Sequence, residues 1–207
     1  LLAPTLVVVA QEIAVPPDGA SVWRSFIVNT TVSHRFASTE VTAVFDNPSS
    51  CTEVVDFTLQ LPRGARLSGA TMSDSSGCAI DGVVSGAADA EQGFNAAVTE
   101  GTQAVLIQAF DVESLRLQLS LPPRQVLRLT LRYDTLLHLA RGVLNISIPL
   151  VTARPVAALE AWLHIPPEPG VLGAPRELAC TVDEPRALRI TTRAASAHLV
   201  ATDDAIA

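Results

Sequence analysis

Apolar and polar residues alternate along most of the chain with a period of two, which is typical of β-strands that bury one face. The clearest run is 115–121, where every second residue is Leu and the residues between are Arg, Gln and Ser. Segments of this kind are 26–32, 41–45, 55–61, 115–121, 127–133, 144–150 and 157–165. They predict an all-β fold, either an antiparallel β-sandwich or a flattened barrel.

One segment has a different period. Between residues 87 and 100 the apolar positions, among them Ala90, Phe94 and Val98, recur with helical spacing. Gly101 is placed to end this helix in the left-handed conformation that glycine tolerates. We therefore predict one α-helix at about 87–100, which covers an open end or edge of the β-structure.

Proline marks the best internal boundary. The segment 166–170 has three prolines in four positions and cannot continue a central strand. We expect an N-terminal extension at 1–24 that could hold one strand, a β-domain at 25–170, and a C-terminal part at 171–207. Two weaker strands are predicted near 177–182 and 188–193, and this last part either packs on the same domain or leads to a further one.

Composition removes several classes of function. All 14 basic residues are Arg, so chemistry that needs a lysine is excluded. The formal charge of −7 and the pI near 5.0 give an unfavourable field for phosphate backbones, and nucleic acid is not expected as a partner. No apolar run reaches the roughly 18 to 20 residues of a transmembrane helix. The chain begins with Leu1 and its sole Met is Met72, which suggests a processed leader or a longer parent protein.

Catalytic and metal-binding patterns are not found in the sequence. There is no nucleophile elbow, and His34, His138, His164 and His198 lack the spacing of zinc ligands. Asp74 and Asp81 could offer oxygens to calcium, but turn formation is the preferred interpretation. We expect no enzyme activity, no cofactor and no metal. A small hydrolase with a dispersed site, for example His138 with Asp134, remains a less favoured alternative.

Five segments, in order and at compatible separations, resemble a known family. They are Val-Ser-His-Arg-Phe-Ala-Ser-Thr-Glu-Val-Thr at 32–42, Phe-Thr-Leu-Gln-Leu-Pro at 57–62, Phe-Asn-Ala-Ala-Val-Thr-Glu-Gly-Thr-Gln-Ala at 94–104, Leu-Arg-Tyr-Asp-Thr-Leu-Leu at 131–137 and Glu-Pro-Gly at 168–170. Together they look like the VIT domain of vault proteins and inter-alpha-trypsin inhibitor heavy chains. This resemblance implies a non-catalytic protein–protein interaction or structural assembly module of a larger protein or complex, whose partners are other protein subunits or further domains of the same parent chain.

The sequence also departs from the family. An extra Asp-Ser-Ser-Gly-Cys segment stands at 74–78, and positions often occupied by Lys are missing or replaced. The heavy chains of this family usually carry a von Willebrand A domain with a metal-binding Asp-x-Ser-x-Ser run. The segment 74–78 does not fit that run, so metal-dependent adhesion cannot be transferred to this chain.

Trp162 is the candidate interface residue. Alternation places it on the outward face with Glu160 and His164, where it either contacts a partner or is covered by a neighbouring segment. Arg116, Arg128, Arg132, Arg189 and Arg193 are also predicted outward, on solvated faces. A carbohydrate-binding β-sandwich is a further alternative, although the chain has only two Trp and one Tyr.

Cysteine and asparagine residues bear on the cellular compartment. If a disulfide forms, we expect it to join Cys51 to Cys78, because both lie in turn segments next to strand ends; three reduced cysteines are the alternative. Asn29 and Asn145 each begin an N-x-S/T glycosylation motif and are predicted to point outward. The chain is therefore predicted to be secreted or lumenal, with an intracellular place in a large assembly as the alternative.

Overall fold

The computed structural model consists of strands with one helix over the residues that it describes, which are 6–11, 22–33, 35–109, 111–137, 139–140, 143–149, 158–164, 178–181, 188–193 and 196–201. Strands before the helix are β1 (Leu6–Gln11), β2 (Val22–Ser33), β3 (Phe36–Asp46), β4 (Glu53–Gln60), β5 (Arg66–Ser73) and β6 (Ala79–Asp81). The helix is α1 (Ala87–Glu100). Strands after it are β7 (Ala104–Ala109), β8 (Ser114–Leu121), β9 (Val126–Leu136), β10 (Leu139–Ala140), β11 (Val143–Pro149), β12 (Ala158–His164), β13 (Leu178–Thr181), β14 (Leu188–Arg193) and β15 (Ser196–Ala201).

The largest sheet has eight strands in the order β14-β15-β12-β2-β3-β9-β5-β6. Its long central strands β2, β3 and β9 are antiparallel and pair over nearly their whole lengths. β12 joins the other edge of β2 in parallel, with Trp162 opposite Asn29. Every second residue of these strands faces the core, as the alternation predicts.

Two smaller sheets complete the β-structure. β4, β8 and β7 form an antiparallel sheet in that spatial order, and β10, β11, β1 and β13 form a mixed sheet in which β1 is parallel to both neighbours. Within the described residues each sheet is an open row of strands. The predicted all-β sandwich with one helix is confirmed. The parallel pairings were not foreseen, because alternation specifies the faces of a strand and not its direction.

The core lies between the inner faces of the eight-stranded and three-stranded sheets. Four aromatic rings join the two layers, and the indole of Trp23 lies 4.7 Å from the ring of Phe45 and 5.1 Å from that of Phe57, measured between centroids. The predicted inward apolar residues of β2, β3, β4, β8 and β9 are buried in one cluster, which also includes Ile146, Ala161 and Leu163. Hydrophobic burial over this interface is the main source of stability.

The helix begins and ends as predicted. Gly101 follows it with φ of 68° and donates its backbone N–H to the carbonyl of Val98, which closes the last turn. Phe94 is the buried residue of the helix. The helix packs on β7 and β8, on the outer face of the three-stranded sheet, where Leu106 is also buried and Gln108 donates a hydrogen bond of 2.7 Å to Glu91.

A buried asparagine ties together the loops at one end of the sandwich. The Asn47 side chain is fully buried, and its Nδ2 donates to the carbonyls of Cys51 at 2.8 Å, Leu121 at 2.8 Å and Pro122 at 3.2 Å. The backbone N–H of Asn47 donates to the carbonyl of Gln125. The β3–β4 and β8–β9 connections are thereby held against each other.

Several elements lay outside the alternation pattern. The strands that were not predicted are β5, β6, β7, β10 and β15, whereas β13 and β14 correspond to the two weaker predicted strands. The proposed boundary at 166–170 falls outside the described residues.

Candidate functional site

Ion pairs across neighbouring strands occupy the outer faces of the sheets. Arg24 pairs with Asp46, Arg116 with Asp56, and Arg132 with Glu40. The hydrogen bond and the charge of Asp56 raise the pKa of Arg116 above its usual range. Arg116, Arg128 and Arg132 are exposed, as predicted. Arg189 and Arg193 lie in β14, and the surroundings of their side chains fall outside the described residues.

Trp162 and Asn29 lie side by side on the outer face of the eight-stranded sheet. Trp162 is half-buried, stacks parallel to the His164 ring at 6.5 Å, and donates its indole N–H to Glu160 at 3.2 Å. Asn29 is half-buried between buried Val28 and Thr30. A ligand or a sugar on one of these two residues would therefore cover the other.

The second glycosylation candidate and the third cysteine are only partly described. Asn145 lies in β11, paired with Val7, and Cys180 lies in β13, paired with Val8. The surroundings of both side chains lie outside the described residues. Glycosylation at Asn145 stays a prediction.

Cys51 and Cys78 are both exposed free thiols in the structure. Cys51 precedes β4, where its carbonyl accepts the hydrogen bond from Asn47, and Cys78 ends the turn between β5 and β6. The two residues lie in the turn segments predicted for them. Their pairing in an oxidising compartment stays a prediction.

The residues considered for catalysis or metal binding are only partly described. Asp134 is exposed on the outer face of β9, while His34 and His138 lie outside the described residues. Among the described side chains, no three His, Cys, Asp or Glu residues gather as metal ligands. In the described part of the chain, no helix has the length and apolar character needed to cross a membrane.

The β5–β6 hairpin tip is organised by Asp74, as the turn interpretation predicted. Its Oδ1 accepts hydrogen bonds from the Ser76 hydroxyl at 2.6 Å, the Ser76 N–H at 2.9 Å and the Cys78 N–H at 3.1 Å. These bonds, the Ser76 hydroxyl foremost, lower the pKa of Asp74. Asp81, at the other end of β6, accepts a hydrogen bond of 2.9 Å from Thr71.

A cleft of about 310 Å³ opens beside this hairpin. Three segments that are distant in the sequence line it: the hairpin itself, the turn after the helix at 101–103, and the β8–β9 turn. Its apolar side chains are Met72, Ile80 and Pro122, and no aromatic residue lines it. Sequence reasoning missed this cleft because it arises only when the three segments meet.

The hairpin edge next to the cleft exposes large apolar residues. Ile80 is 57% exposed, Val83 is 88% exposed and Val84 is fully exposed. β6 is an end strand of the eight-stranded sheet, and its hydrogen-bonded neighbour among the described residues is β5. One backbone edge of β6 is thus available beside an apolar surface.

The excess negative charge of the chain lies in the sequence segment that contains this hairpin. No basic residue occurs between Arg66 and Arg116, whereas Asp74, Asp81, Asp89, Glu91, Glu100, Asp111 and Glu113 all lie there. The other 14 acidic residues are balanced by the 14 arginines, so this segment carries the whole formal charge of −7. The long interval without arginine is the sequence signal that could have drawn attention to the carboxylates of this hairpin.

Comparison with known families gives one match that covers most of the sandwich. The family model described as "Vault protein inter-alpha-trypsin domain" (VIT) matches residues 23–133, more than half of the 207 residues. "Inter-alpha-trypsin inhibitor heavy chain H4" of Homo sapiens is 26% identical over 163 residues, covering 78% of this chain and 17% of that protein. The H4 chain of Sus scrofa is 26% identical over 202 residues, covering 96% of this chain and 22% of that protein. The chain thus spans about a fifth of the length of these curated relatives.

Similarity to solved structures is weak. A crystal structure from Legionella pneumophila has a TM-score of 0.46 and 8% identity, covering 92% of this chain and 64% of that chain. Native yeast LTA4 hydrolase has a TM-score of 0.38 and 8% identity, covering 87% of this chain and 26% of that chain. Neither likeness carries an argument about fold or function.

Proposed function

Because this chain belongs to the VIT family, we propose that it is a non-catalytic protein–protein interaction or assembly module of a larger, extracellular protein. The observation that carries the proposal is the extent of the family match. It begins at Trp23 and ends at Tyr133, both of which are buried in the core. The family match therefore covers the core scaffold of the domain. A scaffold that presents binding surfaces is expected of an interaction module.

The pKa shifts of four described groups support a non-catalytic role. A general acid or base works best with a pKa near the working pH. Hydrogen bonds from Ser76 and Ser114 lower the pKa values of Asp74 and Asp111, and Asp56 raises that of Arg116. Burial raises the pKa of Tyr133. All four shifts move the pKa away from neutrality, which favours structural hydrogen bonding over proton transfer.

We also propose that the terminal segments belong to the same domain as the sandwich. β14 and β15 extend the eight-stranded sheet from β12, and β1 lies between β11 and β13. These pairings support packing of 171–207, and of the strand within 1–24, on the domain at 25–170. The alternative, a linker to a further domain, would leave these strands without such neighbours.

An extracellular location is proposed from the two glycosylation motifs. Asn29 is half-exposed on the outer face of β2, where a glycan would not enter the core. A sugar at Asn29 would stand next to Trp162. Because this glycan would cover Trp162, Trp162 can contact a protein partner only on molecules that lack the glycan.

Mass spectrometry of the protein from its native source tests the assembly module and the extracellular location. Under native conditions we expect a mass above that of the 21.8 kDa chain, from a longer parent chain, a bound partner or both; the denaturing mass separates these contributions. Enzymatic removal of N-glycans should lower the denaturing mass. Native and denaturing masses that both equal the bare chain would contradict the module, and an unchanged mass after deglycosylation would contradict the extracellular location.

A further inference from the structure

We propose that the free edge of β6, together with the adjacent cleft, binds an extended partner segment in which apolar and basic residues alternate. This inference rests on the proposed function, since it names the surface and the partner chemistry of the interaction module. We call the surface formed by β6, the loop 82–86 and the cleft the β6 edge.

The backbone of β6 provides the first part of the argument. β6 pairs with β5 through three residues, with Ile80 opposite Met72 and Asp81 opposite Thr71. Within the described residues β6 is an edge strand of the eight-stranded sheet. The free edge of such a strand can accept an added strand through main-chain hydrogen bonds. Natural edges are commonly protected by Pro or by a covering element, and the segment 79–86 contains no Pro and is exposed at every residue.

The two faces of β6 determine the side chains that the partner needs. Residues directly opposite each other share a face of the sheet, so Ile80 lies on the same face as Met72, which packs against the core. A partner residue opposite Ile80 points toward the cleft and should be apolar. The partner residue next to it points to the other face, beside Asp81.

Charge then selects a basic residue at that second position. In the described residues neither Asp74 nor Asp81 forms an ion pair with an arginine, in contrast to Asp46, Asp56 and Glu40 on the other strands. The sequence between Arg66 and Arg116, which includes β6, contains seven carboxylates and no basic residue. Asp74 and Asp81, two carboxylates of the hairpin without an arginine partner among the described residues, repel an acidic partner and attract a basic one.

Binding of a synthetic probe to the full 207-residue chain tests the inference. The probe is a fluorescently labelled hexapeptide of alternating Val and Arg. The two control probes alternate Val with Glu, or replace each Val with Pro to remove half of the backbone donors. We expect binding of the Val-Arg probe, at least tenfold weaker binding of either control, and weaker binding as the salt concentration rises.

Two variants and a matched control locate the site. Ile80→Ser should weaken binding of the Val-Arg probe at least tenfold, and Asp81→Asn, which keeps the oxygen that accepts from Thr71, should weaken it about three- to tenfold. Val112→Ser removes another exposed valine of the acidic segment, 90% exposed and outside β6, and should change the affinity less than twofold. Circular dichroism melts of all three variants check that the chain is folded.

Specific outcomes overturn the proposal. Equal binding of the Val-Arg and Val-Glu probes would exclude charge recognition, and unchanged binding to Ile80→Ser would place the site elsewhere. Sedimentation that shows a homodimer broken by Ile80→Ser would identify the occupant as a second copy of the chain. If the probe fails to bind while the native mass reveals a partner, the β6 edge is refuted and the module function stands.

Discussion

Tyr133 is a buried residue whose position the alternation predicts, but whose hydroxyl the described residues of the core do not satisfy. Its phase on β9 places it inward, yet its hydroxyl, like that of Thr135, has no hydrogen-bond partner among the described residues. The Thr39 hydroxyl opposite it is 3.0 Å from the Thr30 hydroxyl. Burial raises the pKa of Tyr133 and is the larger effect. Thr39 is near enough to lower that pKa but is not placed for a well-aligned hydrogen bond.

The alkaline stability of the protein should therefore report on Tyr133. The folded-state pKa lies above the value of about 10 for an unfolded chain, so burial of the neutral phenol contributes stability that is present below about pH 10 and is lost as the pH rises further. Tyr133 is the sole tyrosine and the chain has no Lys. Tyrosinate absorbance at 295 nm should thus appear together with the loss of circular dichroism.

Tyr133→Phe is the matched variant for this test. Removing a buried hydroxyl without a partner avoids a desolvation cost of about 1 to 3 kcal/mol, and we expect the variant to be as stable as the wild type at pH 7 or up to about 1 kcal/mol more stable. Its stability should also fall less above pH 10. Tyrosinate absorbance that rises in the folded wild type would show that Tyr133 ionises within the native core.

Among the elements, those with one buried face could be predicted from the sequence. The alternating Leu residues of β8 and β9 indicate strands, and the helical spacing of the apolar residues around Phe94 indicates a helix. β7 could not be recognised because both of its faces are covered: Leu106 faces the helix, while Val105 and Ile107 pack against the core. β5 lacks alternation because its sequence is Arg-Leu-Ser-Gly-Ala-Thr-Met-Ser, and the β6 edge depends on pairing partners that no local pattern reveals.

The helix provides a direct test of an element predicted from its pattern. Phe94 is 7% exposed, and Phe94→Ala should destabilise the protein by about 3 to 5 kcal/mol through lost burial and a cavity. Asn95→Ala, at an exposed position of the same helix, should change stability by less than about 0.5 kcal/mol. A loss below about 1 kcal/mol for Phe94→Ala in denaturant melts would mean that the helix contributes little to the fold.

The Asn47 loop at 46–50 has a role that its sequence does not reveal, since Asp-Asn-Pro-Ser-Ser indicates only a turn. Substitutions of Asn47 test this role. Asn47→Ala leaves the carbonyls of Cys51, Leu121 and Pro122 without their donor and should cost about 1 to 3 kcal/mol. Asn47→Asp should cost more, because it places a carboxylate against carbonyl oxygens in a buried site. Asn95→Asp on the helix surface is the control, and equal stabilities of the two Asn47 variants would argue against the donor role.

On the scale of the whole molecule, one end of the sandwich brings together the features that remained separate in the sequence. The cleft, the helix C-terminus, the Asn47 loop and the β5–β6 hairpin all meet near Pro122. Asn47 donates to the carbonyls of both Cys51 and Pro122, while Pro122 and Cys78 line the same cleft. The two exposed thiols therefore lie at the same end of the protein.

This arrangement supports the last prediction, that the protein from an oxidising compartment carries a disulfide between Cys51 and Cys78. Closing a loop between residues 51 and 78 restricts the unfolded chain and should raise the free energy of unfolding by about 3 to 4 kcal/mol relative to the reduced protein. Peptide mapping without reduction should recover the linked pair, and Cys78→Ser should abolish both the linkage and the added stability. Recovery of either residue linked to Cys180 would contradict the pairing.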